Sequence, residues 1–175
     1  MIKTLSKFNK FEELKKECQE LMSRVPFKDD VTQISLQVKN PDQIDWYGSC
    51  GSIFKPDNKI IVEEHYKFIN PELSGSVIEE WINSLGIPVF RTRLLYVPAR
   101  KCYSVHKDPA PRIHIPIITD PDCYMCFPKL GIMKHLPATG ESYWVDTTLK
   151  HTFVNCSTID RIHLVAATKL RLDVV

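Results

Sequence analysis

Between residues 8 and 23 the apolar side chains Phe11, Leu14, Cys18, Leu21 and Met22 recur at the spacing of one helical face, with Glu and Lys between them. Pro26 ends that pattern. From Thr32 to Val38 the period falls to two, Ile34, Leu36 and Val38 alternating with polar neighbours, which predicts a half-buried strand closed by the turn Asn40-Pro41-Asp42. Ser76-Val77-Ile78-Glu79 has the form of a capping box, and Val77, Ile78, Trp81, Ile82 and Leu85 give the short helix after it an apolar face. Gly86 and Pro88 stop it. Beyond that point the pattern changes to eight short strand-like runs, at 89–97, 102–106, 112–118, 123–127, 132–135, 142–145, 151–155 and 162–168. A run of strands preceded only by helices predicts a sandwich or jelly roll, not a parallel α/β sheet. With no internal repeat, the expectation is one domain over 1–175, with helices and supporting strands in 1–88 and the jelly-roll core in 89–168.

Composition changes this picture little. The length, 175 residues, suits one domain with a sizeable core. A formal net charge of +2 gives no reason to expect a nucleic-acid partner. The first residues, Met-Ile-Lys-Thr-Leu-Ser-Lys, form no apolar leader, and no stretch reaches the length of a membrane span, so a cytoplasmic protein with no membrane association is expected. Its six cysteines are then expected to be reduced thiols. Cys123-Tyr124-Met125-Cys126 lacks the second pair that a structural zinc needs.

Residues 45–64 are the least regular. Trp46-Tyr47-Gly48-Ser49-Cys50-Gly51-Ser52, then Phe54, the turn Lys55-Pro56-Asp57-Asn58 and the apolar run 59–62 are expected to form a hairpin or loop over one mouth of a barrel. Two glycines with no following helix do not make a phosphate loop. Trp46 and Tyr47 are read as core packing or as substrate contacts.

The chemistry concentrates in Val105-His106-Lys107-Asp108-Pro109. In a strand His106 and Asp108 point to one side and Lys107 to the other. Were His151 brought beside them, two imidazoles and one carboxylate would face a metal and leave three coordination positions open, the arrangement of non-haem Fe(II) oxygenases. On its own His-x-Asp is a common tripeptide; the order His106, Asp108, His151, Arg161, each at the edge of a predicted strand, is not.

That order resembles the Fe(II)/2-oxoglutarate-dependent dioxygenases over about residues 90–168. The resemblance implies a mainly β (α+β) protein, a double-stranded β-helix (jelly roll, cupin-like) with N-terminal helices packed on the outside. It further implies Fe(II) on His106, Asp108 and His151, with 2-oxoglutarate and O2 in the open positions, and hydroxylation of a C–H bond with release of succinate and CO2. The stretch His151-Thr-Phe-Val-Asn155-Cys-Ser157-Thr-Ile-Asp-Arg161 is similar to the second half-site of the aspartyl/asparaginyl β-hydroxylase branch. There the arginine grips the far carboxylate of 2-oxoglutarate through paired hydrogen bonds. Arg112-Ile113-His114 resembles the Arg-x-His segment of the same branch, which meets the co-substrate's metal-binding end; alternation sets Arg112 and His114 on one face and Ile113, Ile115 and Ile117 on the other. Tyr96, with Tyr103 second, resembles the prolyl-hydroxylase tyrosine whose hydroxyl reaches 2-oxoglutarate. The chain departs from the β-hydroxylase branch in having Asp108 and a shorter gap to Arg112, so that branch's substrate is not carried over.

The expected substrate is an amino-acid side chain, in a peptide or free, or another small molecule; Tyr124, Met125, Trp144 and the loop around Trp46 are candidate pocket residues. His65, His135 and His163 read as surface or satisfied core histidines, His163 being notable for sharing a face with Arg161. Two other classes fit the same pattern: a cupin-like metal enzyme that needs no 2-oxoglutarate, and a non-catalytic jelly-roll binding module.

Overall fold

The structure, a computed structural model, describes residues 1–27, 31–51 and 61–172. In chain order its elements are β1 (Ile2–Lys7), α1 (Phe11–Arg24), β2 (Gln33–Ser35), β3 (Gln37–Val38), β4 (Phe68–Ile69), α2 (Val77–Ser84), β5 (Val89–Val97), β6 (Lys101–Cys102), β7 (Arg112–Ile118), β8 (Cys123–Phe127), β9 (Ile132–Lys134), β10 (Glu141–Val145), β11 (Thr152–Asn155) and β12 (Arg161–Thr168). The last eight strands pair as nested antiparallel couples about one hairpin: β8 with β9, β7 with β10, β6 with β11, β5 with β12. Cross-links between β12 and β7 and between β11 and β8 close this long folded hairpin into two facing sheets, β10-β7-β12-β5 and β6-β11-β8-β9. Such nesting defines a double-stranded β-helix. β1 and β2 extend the first sheet at its two edges, making it six-stranded.

Alternation decides what each face of the large sheet carries. Ile113, Ile115 and Ile117 of β7, Leu94 of β5 and Ile162, Leu164 and Ala166 of β12 share one core with Leu14, Cys18 and Leu21 of α1 and Ile78 and Trp81 of α2. The helices therefore cover the outer face. Ser76 caps α2 by accepting from the Glu79 amide at 3.1 Å, and the Glu79 carboxylate accepts from the Gly75 amide at 2.7 Å. Gly140 lets α1 dock, because a side chain there would meet Phe11 Cβ at 2.9 Å. A second, smaller core of Val97, Met125, Phe127, Tyr143, Val145 and Phe153 lies inside the barrel. The opposite residues on the same central strands, Arg93, Arg112, His114, Arg161 and His163, are buried too, and they face inward.

Some elements differ from expectation. The strand expected at 32–38 breaks at Leu36, whose amide donates to the Thr92 carbonyl while its own carbonyl accepts from the Asn70 amide, so β2 joins the large sheet and β3 pairs with β4. The strand expected at 102–106 reduces to β6 and one isolated bridge, His106 to His151. β1 was not expected, because its burial follows no two-residue period. Of the loop expected at 45–64, residues 52–60, with Phe54 and the turn 55–58, lie outside the described residues. Among the described residues no helix is long and apolar enough to cross a membrane.

The turn between β11 and β12 explains the Asn and Ser of the 151–161 stretch. Asn155, 1% exposed, accepts on Oδ1 from the Ser157 amide (3.0 Å) and hydroxyl (2.7 Å), and its Nδ2 donates towards the carbonyls of Val97, Pro98 and Ile159 at 2.9–3.1 Å. It ties the turn to the end of β5 and so fixes where Arg161 enters the barrel. Asn155→Ala strands several buried polar groups and is expected to cost about 2–4 kcal/mol in urea unfolding. A loss under about 1 kcal/mol would contradict that role.

Candidate metal centre

His106 and His151 are held together by backbone. Each amide donates to the other's carbonyl, at 3.0 and 2.9 Å, which makes them a hydrogen-bonded antiparallel pair with ring centroids 4.4 Å apart. Asp108 follows two residues on, its amide donating to the Thr147 carbonyl at 2.8 Å. One ligand atom from each of His106, Asp108 and His151 lies within 4.8 Å of the others, and Asp108 Oδ2 is 3.9 Å from His151 Nε2. Both imidazoles are oriented alike: His106 Nδ1 bonds the Ser104 carbonyl at 2.7 Å and His151 Nδ1 the Leu149 carbonyl at 2.9 Å. A carbonyl only accepts, so Nδ1 carries the proton and Nε2 keeps its lone pair for a metal. The donor set, two imidazole nitrogens and one carboxylate on a shared face, can hold a divalent transition metal.

A chain of charges stands behind Asp108. Arg112 Nε lies 3.2 Å from Asp108 Oδ2, while its Nη1 donates to Glu63 Oε2 at 3.0 Å and its Nη2 lies 2.8 Å from Glu63 Oε1. Glu63 also accepts from Arg91 Nη1 at 3.0 Å. Burial works to raise the Asp108 carboxyl, but Arg112, His151, His106 and Arg93 outweigh it and hold the group below its ordinary value, ionised and ready to ligate. Burial lowers His151, which favours the neutral ligand form.

Deeper in the barrel lie polar groups with no partner. Arg161, 1% exposed, stacks its guanidinium 3.5 Å above the centre of Phe153 and touches His163 Nδ1 through Nη2. His163 sets its ring edge-on to His114, centroids 5.8 Å apart. Arg161 Nε, His163 Nε2 and both nitrogens of His114 are buried without a hydrogen bond among the described residues. Burial, then the charge of Arg161, pushes His114 and His163 well below the ordinary histidine range, while burial lowers Arg161 to about 9, still a cation at neutral pH. His163 is thus not the satisfied core histidine expected.

A cavity of about 600 Å³ opens beside the cluster, with His106, Asp108, Arg112, His114 and Tyr103 on its wall. Arg112 is there, but its three nitrogens are taken by Glu63 and Asp108, so it positions the ligand carboxylate instead of offering a free fork. Arg161 lies behind His114 and His163, off that wall. Tyr96 faces away: on β5 it alternates with Arg93, Leu95 and Val97, and it stacks on Phe27 in the helix-side core, centroids 5.1 Å apart. Tyr103 is the tyrosine on the cavity side. Trp144 also points to the helices, donating to the Leu170 carbonyl at 3.0 Å; Trp46 packs there under Arg24, Tyr47 donates to the Pro26 carbonyl at 2.6 Å, Met125 is core and Tyr124 bonds Asp122. Gln33, Arg91, Arg93 and Glu63, which the expectations omit, take part instead. Their one sequence signal was Arg91-Thr92-Arg93, two charges on one face of an otherwise apolar strand.

No protein-family model matches the chain, and no curated protein matches it. Among solved structures it is similar to a cupin domain from Bordetella pertussis Tohama I, at 18% identity over 47% of this chain and 82% of that one, with a TM-score of 0.40. The jelly-roll assignment rests on the nested strand pairing itself.

The buried imidazoles make stability depend on pH. Their folded pKa values are depressed, so below about 6.5 the unfolded chain binds protons that the folded one refuses, and stability rises with pH across that window. His114 and His163 together should steepen the loss on acidification by about 2.7 kcal/mol per pH unit below pH 6, with His151 acting in the same sense. Urea unfolding at pH 7, 6 and 5.5 measures this, and His163→Phe should remove about one proton's worth of slope. A flat profile would contradict the burial of neutral imidazoles.

Proposed function

We propose that the chain is a non-haem Fe(II)/2-oxoglutarate-dependent oxygenase that hydroxylates a C–H bond of an amino-acid side chain, in a peptide or free, or of a small molecule. Fe(II) would be held by His106 Nε2, His151 Nε2 and an Asp108 oxygen, the backbone-set lone pairs and the ionised carboxylate supplying the three donors. The observation that carries the reading is the set of buried donors without acceptors beyond the cluster: Arg161 Nε–H, His163 Nε2–H and one N–H of His114. Buried donors without acceptors are costly, and a carboxylate is an acceptor that suits such donors beside a fixed positive charge. Once bound, the metal with 2-oxoglutarate and O2 supplies the oxidising chemistry: substrate C–H, O2 and 2-oxoglutarate give C–OH, succinate and CO2.

In this reading each residue has a limited task. Arg161 and His163 bind the far carboxylate, His114 lies between them and the metal end, Tyr103 closes the cavity side, and Arg112 with Glu63 keeps Asp108 aimed. A cytoplasmic protein, with free thiols and no nucleic acid as partner, belongs to the same proposal.

The second reading is a metal enzyme of the same fold that uses no 2-oxoglutarate. The position of Arg161 behind two imidazoles, off the cavity wall, favours it.

Anaerobic addition of Fe(II) and 2-oxoglutarate separates the two. The oxygenase reading predicts a weak visible charge-transfer band, lost in His106→Ala, in which metal affinity falls by at least about 100-fold. Arg161→Ala should keep the metal but weaken 2-oxoglutarate binding by roughly 100-fold, the worth of a buried charge-assisted pair. Folded, iron-loaded protein that gives no band and releases no succinate would support the second reading.

A further inference from the structure

Arg93 projects from β5 into the cavity and is 5% exposed. Its Nη1 donates to Gln33 Oε1 at 2.7 Å and its Nε to the Arg91 carbonyl at 3.2 Å, both uncharged acceptors. Nη2 donates no hydrogen bond, and no carboxylate lies within ion-pair distance of Arg93 among the described residues. The neighbouring arginines are different: Arg91 and Arg112 share Glu63, and Arg112 also holds Asp108. Gln33 is fixed by two donors on its oxygen, Arg93 Nη1 and the Gly51 amide at 3.1 Å, so its Nε2 amide hydrogens are turned away from that pair and have no acceptor among the described residues.

Charge makes the same point. Among the described residues of the barrel interior, the guanidiniums of Arg91, Arg93, Arg112 and Arg161 face only the carboxylates of Glu63 and Asp108. A divalent metal adds two positive charges, and a dicarboxylate spanning from the metal to Arg161 removes two. The excess that remains includes Arg93, which lines the open cavity, as Arg161 does not. Burial, with repulsion from Arg91 and Arg112, lowers Arg93 to about 9, so it stays a cation that an anion would relieve.

We infer that Arg93 and Gln33 form a second anion subsite, distinct from Arg161, which binds the carboxylate of the substrate itself. The substrate class is then a small organic or amino acid, its carboxylate on Arg93 Nη2 and Gln33 Nε2 and its carbon chain running across the cavity towards His106 and Asp108. Two separate N–H donors match the two oxygens of a carboxylate, and about 600 Å³ suits a small molecule. The reaction performed on that substrate rests on the oxygenase reading; the anion subsite rests on Arg93 alone.

The test titrates hexanoate, hexanamide and inorganic phosphate calorimetrically into protein loaded with Mn(II) and 2-oxoglutarate under nitrogen. Hexanoate should bind at least about tenfold more tightly than hexanamide, as a charge-assisted pair requires, and more tightly than phosphate. Arg93→Gln should abolish that preference. Gln33→Glu, which keeps Arg93 but supplies it with an internal carboxylate, should abolish it too, and cooperative unfolding of both variants verifies that they fold. Equal binding of acid and amide, a preference surviving in either folded variant, or tighter phosphate binding would overturn the inference. So would loss of the anaerobic Fe(II) and 2-oxoglutarate band in Arg93→Gln, which would make Arg93 the co-substrate's anchor. A wild-type protein without that band would defeat the oxygenase reading while leaving the hexanoate comparison to be judged on the Mn(II)-loaded protein.

Discussion

The architecture depends on one commitment of the central strands of the large sheet: their isoleucines and leucines go outward, under the helices, and their charged side chains go in. Ile113, Ile115 and Ile117 on β7, with Leu94, Ile162 and Leu164 on the flanking strands, bury against α1 and α2. Because strand residues alternate, that burial forces Arg93, Arg112, His114, Arg161 and His163 into the barrel. Slipping any central strand by one residue would turn the isoleucines into the barrel and drive arginine and histidine side chains under the helices, into a core that offers an ion no partner. The polar interior is thus enforced by a hydrophobic layer that never touches it.

A barrel with such an interior needs anions. Glu63 and Asp108 supply two, and Glu63 is shared between Arg91 and Arg112. What the described residues leave over, at Arg161 off the cavity wall and at Arg93 on it, is a fixed positive field that favours carboxylates. The cluster itself depends less on side-chain packing than on backbone. His106 and His151 stand opposite each other because their amides and carbonyls exchange hydrogen bonds, and a carbonyl two residues upstream of each sets its tautomer. This is pre-organisation obtained from the chain direction alone, and it tolerates the breakdown of β6 into a lone bridge.

Much of this was legible from the residues. The order of His106, Asp108 and His151 predicted their convergence, and the β7 alternation correctly separated Arg112 and His114 from the three isoleucines. The capping box at Ser76 and the eight-strand run likewise match the structure, β6 being the strand that shortened. Tyr96 failed for a physical reason: in Arg93-Leu94-Leu95-Tyr96-Val97 two adjacent leucines hide the parity, and nothing in the sequence says which of them faces the helices. Trp144 failed in the same way, since Tyr143 and Trp144 are both large and apolar and only the pairing of β10 with β7 assigns their faces. Glu63 and Gln33 carried no local signal at all; their importance comes from contacts with residues 28 to 60 positions away.

The proposal for the buried cluster is that one metal engages His106, Asp108 and His151 and one dicarboxylate engages Arg161. A crystal structure of the protein grown anaerobically with Mn(II) and 2-oxoglutarate tests it most directly. The expected result is a metal bonded to His106 Nε2, His151 Nε2 and Asp108, with the far carboxylate of 2-oxoglutarate against Arg161 and His163. A metal bound elsewhere, or a co-substrate that leaves Arg161 and His114 without an acceptor, would contradict it.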